Sequence, residues 1–235
     1  MPFFLSHRQP DLVEFMDKVD CDLAKLNNTY KQFSLINGLL SNWKRIYKNQ
    51  LKILMTDKTK QYSLLDIGFG GGDIPISISK WAKADGLNLQ ITAIETDERA
   101  YHFAQSLPSN SSITFQHCSS TDLINQKKNF DFVISNHVLH HLDKENIDQI
   151  LDEANSLANQ LVIFNDIERS DLGYILFNFF SRPLFRNSFI TADGLISIKK
   201  CYTKKELMQL APKNWTVERS FPFRLLLTLR KGYNA

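Results

Sequence analysis

Leu64-Leu65-Asp66-Ile67-Gly68-Phe69-Gly70-Gly71-Gly72-Asp73 passes from an apolar strand through a glycine cluster into a helical pattern. Gly68, Gly70 and Gly72 fall at alternate positions, and a tight turn against a ligand calls for residues that tolerate positive φ and lack a Cβ. Ile74, Ile78, Trp81 and Ala82 then recur at helical spacing, with Pro75 near the first turn, where its missing N–H costs nothing. Strand, glycine turn and helix in this order build a nucleotide-type site in a doubly wound α/β fold, at the carboxyl ends of parallel strands.

The ligand is narrowed by charge. The dinucleotide fingerprint G-x-G-x-x-G needs glycine or alanine where this chain has Asp73. An aspartate beside a helix N-terminus repels a pyrophosphate, which depends on the free N–H groups and positive dipole end of that helix. S-adenosylmethionine suits the turn better, being an adenosine without phosphate that carries a sulfonium, an ammonium and one carboxylate. Asp66, at the end of the strand, is placed to attract that ammonium directly or through water.

Asp66-Ile67-Gly68-Phe69-Gly70-Gly71-Gly72 resembles motif I (D/E-x-G-x-G-x-G) of the class I S-adenosylmethionine-dependent methyltransferases, and the order of elements resembles that fold from about residue 50 to the end. A second anchor is Glu95, which closes the apolar run Leu89–Ile94 where an adenosine ribose offers two hydroxyls to a carboxylate. A nicotinamide-binding Rossmann domain has an acid there too, so that reading stays open at this point. The resemblance implies cofactor contacts at Asp66, Gly68, Phe69, Gly70, Gly72, Glu95, Thr96, Ser119, Ser120, Asn136 and His137, with no metal. Ser119 stands where the family usually has an acid that reads the adenine amino group, and Ser120 or Asp122 are the alternatives.

Of the 235 residues, 43% are hydrophobic and 23% charged, which is the composition of an ordinary soluble globular protein with one domain as the favoured count. A net charge of +3 falls well short of the concentrated basic stripe of a nucleic-acid binder, so no nucleic acid is expected. Cys21, Cys118 and Cys201 form no C-x-x-C pair, which suggests neither a disulfide framework nor a zinc site and points to the cytoplasm. The greasiest stretch, Leu172 to Phe180, spans only about 15 Å as a helix against the roughly 30 Å of a bilayer core, so no transmembrane segment is expected. Contact with a membrane surface is left open, as is the oligomeric state.

In chain order, residues 11–55 read as helical, with Ile36, Leu39, Leu40, Trp43, Ile46, Tyr47 and Leu51 on one side, and residues 1–55 form an extension to a methyltransferase domain over 56–235. Strands at 64–67, 89–94, 113–117, 130–136 and 161–164 alternate with helices, the third being followed by a polar loop. Thr203-Lys204-Lys205-Glu206 is a capping box, and two last strands around Pro222 make a hairpin. The expected fold is therefore a doubly wound seven-stranded sheet, mostly parallel with a C-terminal antiparallel hairpin, plus N-terminal helices and a helical insert, 167–202, after the fifth strand.

His137, His140 and His141 follow the fourth strand and Asp166 the fifth, where relatives of this fold face the acceptor. A histidine near its usual pKa suits proton removal from a phenol or enol, so these four are the candidate catalytic residues. The insert, with Asp166-Ile167-Glu168-Arg169, Tyr174, Phe177, Phe179, Phe180, Lys199 and Lys200, is similar to small-molecule methyltransferases that accompany type III polyketide synthases. That resemblance implies a small, lipophilic or aromatic acceptor methylated on oxygen, with the insert's aromatics lining the pocket. Methylation of RNA or protein is the alternative within enzymes.

Overall fold

A computed structural model describes residues 2–232. Strands β1 (Gln61–Ile67), β2 (Asn88–Glu95), β3 (Ile113–His117), β4 (Phe130–Asn136) and β5 (Ala158–Ile167) run parallel. β6 (Thr216–Ser220) and β7 (Arg224–Arg230) form the hairpin, and β7 pairs antiparallel with β5. The order β3-β2-β1-β4-β5-β7-β6 reverses direction between β1 and β4, which opens a crevice at the carboxyl ends of those two strands.

The helices are α1 (Leu23–Leu40), α2 (Trp43–Ile46), α3 (Asp73–Ala84), α4 (Glu98–Gln105), α5 (Ser120–Asn125), α6 (Lys144–Leu157), α7 (Asp171–Leu184), α8 (Ile190–Lys200) and α9 (Lys204–Leu210). Successive strand residues point to opposite faces, so Leu64 packs with Trp43, Tyr47, Ile74 and Ile78 on one side, whereas Leu65 joins Ile147, Leu151 and Leu207 on the other. A sheet covered on both faces explains its near-continuous apolar strands.

Two expectations need correcting. The helix read over 11–55 divides: residues 11–22 make turns, Asp22 caps α1 by accepting from Ala24 and Lys25 N–H, and Asn42, left-handed at φ 58°, redirects the chain into α2. α2 continues as a π-helical turn over Tyr47–Leu51 and a 3-10 turn over Lys52–Leu54. The redirection splits the apolar stripe, burying Trp43, Ile46, Tyr47 and Leu51 but leaving Leu39 exposed. The polar loop expected after β3 is the short helix α5, because Ser119 and Asp122 close a reciprocal capping box.

α7 and α8 pack together over the 167–202 stretch, and the buried Arg169 ties that stretch to the N-terminal segment and to α9. Its guanidinium donates to the carbonyls of Leu5 (2.8 Å) and Cys201 (2.8 Å) and to the Glu206 carboxylate (2.6 Å). Arg169→Met leaves two buried carbonyls without donors and should cost about 2 to 4 kcal/mol in urea unfolding. A loss below about 1 kcal/mol would show that the knot is dispensable.

Candidate active site

The glycine turn is built as its residues require. Gly68, Gly70 and Gly72 have φ values of 76°, 52° and 75°. At Gly68 a Cβ would also stand 2.7 Å from the Val138 side chain, so both conformation and space demand glycine there. Phe69 turns away from the turn's open side into the core against Phe115, with ring centroids 4.9 Å apart, so its side chain is unavailable to a ligand and any contact falls to its backbone.

Three carboxylates surround this turn, and among the described residues none forms an ion pair. Asp66 is buried and neither of its oxygens has a hydrogen-bond partner among the described residues. Burial, reinforced by Asp73 and Glu95, holds its carboxyl well above the usual range. Asp73 accepts from the Asn37 side chain of α1 at 3.0 Å, and burial pushes it up to about 6 despite that bond. Glu95, at the end of β2, accepts from the N–H groups of Gly70 (3.0 Å), Thr96 (2.8 Å) and Asp97 (3.2 Å), which fastens the turn to the strand. Thr96 itself is exposed, its carbonyl 3.0 Å from the His117 ring. Such a rim repels a pyrophosphate and suits a ligand carrying net positive charge.

The serines after β3 are occupied otherwise than expected. Ser119 donates its hydroxyl to Asp122 in the α5 cap, and Ser120 donates to Glu153 of α6. These bonds commit both side chains to the fold.

At the ends of β4 and β5 a buried guanidinium that no sequence motif marks organises the site. Arg224, the first residue of β7, donates to the Asn165 side chain (2.9 Å) and carbonyl (3.0 Å), to the Asn136 side-chain oxygen (2.9 Å) and to His137 Nε2 (2.6 Å). Burial lowers its pKa to about 10, leaving it charged at neutral pH. Asn136 also accepts from the Trp43 indole at 2.9 Å, which brings α2 to the strand ends. His137 sits at φ 63°, and burial together with Arg224 holds its imidazole well below the usual range. Its Nε2 lone pair is taken, so the neutral ring carries its proton on Nδ1.

His140 is engaged in the opposite sense. Its Nδ1 lies 2.9 Å from Asp166, whose other oxygen accepts the His140 backbone N–H at 2.9 Å, and its Nε2 is 3.4 Å from Glu14. Burial opposes its charge, but the Asp166 carboxylate wins and keeps the ring protonated. His141 lies between Glu14, Asp17 and Lys200, with its Nδ1 3.2 Å from the Lys200 ammonium. The expectation of a histidine base among these three therefore gives way: His137 and His141 face cations, and His140 already holds its proton. Asp166 is likewise spent as the counter-ion of His140. Glu14, His140 and His141 cluster closely enough for a cation, as do His137, His140 and Asp166, yet protonated His140 and Lys200 already neutralise those carboxylates.

Residues 64–160 match the family model described as a methyltransferase domain. Over that stretch, which runs from within β1 through the glycine turn to the start of β5, the chain carries a methyltransferase domain. No curated protein matches it. Among solved structures, the plantazolicin methyltransferase BpumL bound to S-adenosylhomocysteine is 16% identical, with 92% of each chain covered and a TM-score of 0.64. Human N-acetylserotonin methyltransferase with S-adenosylmethionine is 12% identical over 90% of this chain and 57% of that one, at a TM-score of 0.60. At these identities the likenesses speak for the fold. Those two structures hold S-adenosylhomocysteine and S-adenosylmethionine, and the acidic rim of this chain is compatible with the cationic groups of such a cofactor.

The Glu14 link makes stability depend on pH. Burial works against its charge, but His140, His141 and Lys200 outweigh it and lower its pKa from 4.5 to about 2. A folded value below the unfolded one stabilises fully above about 4.5 and less as pH falls toward 2. Glu14→Gln should therefore lower the melting temperature at neutral pH and flatten its decline across the acid range. Parallel melting curves for variant and wild type would contradict this.

Proposed function

We propose that this methyltransferase transfers the methyl group of S-adenosylmethionine to the oxygen of a small, apolar acceptor such as a phenol or enol. In this reading Asp66 binds the cofactor's ammonium, Glu95 its ribose hydroxyls, and the backbone of Gly68, Phe69, Gly70 and Gly72 lies along it. Thr96, Asn136 and the His137 backbone flank it at the strand ends, and the adenine is held at the β3–α5 junction by Ser119 and Ser120 through main-chain atoms. The observation that carries the cofactor assignment is the buried Asp66 carboxylate, to which no described residue offers a donor.

The case for oxygen comes from charge. The cofactor supplies a methyl on a sulfonium, so the acceptor's electron pair forms the new bond as the thioether leaves. Arg224 fixes the His137 tautomer with Nδ1–H, a donor that no other described residue engages, at the ends of β4 and β7. A donor backed by a guanidinium stabilises an anionic oxygen, so the acceptor binds as its phenolate or enolate, its proton having passed to bulk water, and the oxygen's electron pair then takes the methyl as the thioether leaves. With His137 holding the oxygen and α1 and α2 excluding water, alignment supplies the remaining acceleration, as effective molarities of about 10⁵ to 10⁸ M allow.

Calorimetry tests the cofactor residues: S-adenosylhomocysteine should bind where NAD does not, and Glu95→Ala should weaken it by about 1.5 to 3 kcal/mol. Preference for NAD would overturn the assignment. On the acceptor side, phenols should be methylated in preference to matched amines. His137→Phe should lower phenol turnover by about 10² with S-adenosylhomocysteine affinity unchanged. Faster methylation of amines would remove oxygen as the receiving atom.

A further inference from the structure

The aromatic run of α7 does not converge on the strand ends, contrary to the expectation of an aromatic-lined acceptor pocket. The helix buries Gly173 and Ser181 and half-buries Tyr174 and Phe177, the latter packed against Gly194 of α8. Its opposite side exposes Leu172, Ile175, Leu176, Phe179, Phe180 and Leu184, spaced at three and four residues, so the solvent-facing stripe is apolar along the whole helix. Phe179 is 72% exposed, in an edge-on pair with Phe180. Phe3 and Phe221, 92% and 82% exposed, extend the surface at the helix's N-terminal end, where Leu172, Phe221 and Phe223 share a cleft and Asp171 holds the Phe3–Leu5 backbone. So large a continuous apolar surface is not left in water without a reason.

The charges around it select the occupant. The acids at this rim are spent, Asp171 on the N–H groups of the N-terminal segment and Glu168 on Arg219 at 2.7 Å. The exposed bases are not: Arg182 and Arg186 at one end of the stripe and Lys205 at the other have no carboxylate partner among the described residues. A second copy of the chain would bring its own unpaired arginines to the same contact. An apolar stripe bordered by free bases instead matches the interface of an anionic bilayer, where aromatic and aliphatic side chains enter the acyl boundary and bases meet headgroups.

We propose that the exposed face of α7, with Phe3 and Phe221, docks the protein on anionic phospholipid membranes as a peripheral protein. The docking is independent of which acceptor the enzyme methylates. No described helix is long and apolar enough to cross the bilayer, so the contact lies in the interface plane.

Co-sedimentation with vesicles of phosphatidylcholine alone, or mixed with phosphatidylglycerol, tests this. Wild type should bind the mixed vesicles in low salt and leave them in high salt. F179S/F180S, at exposed positions, should lose binding while retaining its melting temperature and its affinity for S-adenosylhomocysteine. R182Q/R186Q should bind mixed vesicles about thirtyfold more weakly, the loss of two basic residues from an anionic surface, and keeps the test decisive should the first variant misfold. Failure of wild type to bind mixed vesicles, or unchanged binding by both variants, would overturn the proposal. So would a wild-type dimer in sedimentation velocity that F179S/F180S dissociates, since the stripe would then face a second copy.

Discussion

Asp66, Asp73 and Glu95 gather around one glycine turn with no cation among the described residues paired to them, and most of the site depends on that imbalance. Burial alone would drive Asp66 toward its protonated form, and its acidic neighbours push it the same way. A protein that keeps such a carboxyl at the end of a central strand tolerates a local electrostatic cost. Positive charge delivered by a ligand relieves it, and a phosphate would deepen it. The same imbalance that separates this turn from a dinucleotide site suits the sulfonium and ammonium of S-adenosylmethionine.

The ends of β4, β5 and β7 have the reverse arrangement. Arg224 is charged and buried, and its four hydrogen bonds join the ends of β4, β5 and β7 into one rigid floor. Beyond it, protonated His140 is held between Asp166 and Glu14, the latter brought in by the turns of the N-terminal segment. Carboxylates at the glycine turn and the Arg224 guanidinium at the ends of β4 and β5 place opposite potentials on the two sides of the crevice. This arrangement favours an electron-rich nucleophile meeting a cationic methyl donor, with alignment rather than proton transfer as the main device.

The legible parts of the fold are those written locally. The glycine turn, the alternating strands and helices, the Thr203–Glu206 cap and the closing hairpin all announce themselves within a few neighbouring residues. Glu95 is legible because its place at a strand end is fixed by the apolar run before it. Arg224 and Glu14 are not, since their meaning comes from antiparallel pairing and from a turn segment laid across the fold, contacts far apart in sequence. Phe69 shows the limit of motif reading, as its neighbours form the turn while its own ring joins the core. The serines after β3 show another, because a polar run that reads as a binding loop is also a capping box. The α7 aromatics declare their hydrophobicity in the sequence, but composition carries no information about which side of a helix meets solvent.

The most direct test is whether cofactor binding changes the protonation of Asp66. Calorimetric titration of S-adenosylhomocysteine at about pH 6, in buffers of different ionisation enthalpy, counts the protons exchanged on binding. A carboxyl raised by burial in the free protein and ionised by the cofactor's ammonium should release protons, and Asp66→Asn should abolish that release. Equal proton release in wild type and Asp66→Asn, or none in wild type, would contradict the assignment of that carboxylate to the cofactor's cation.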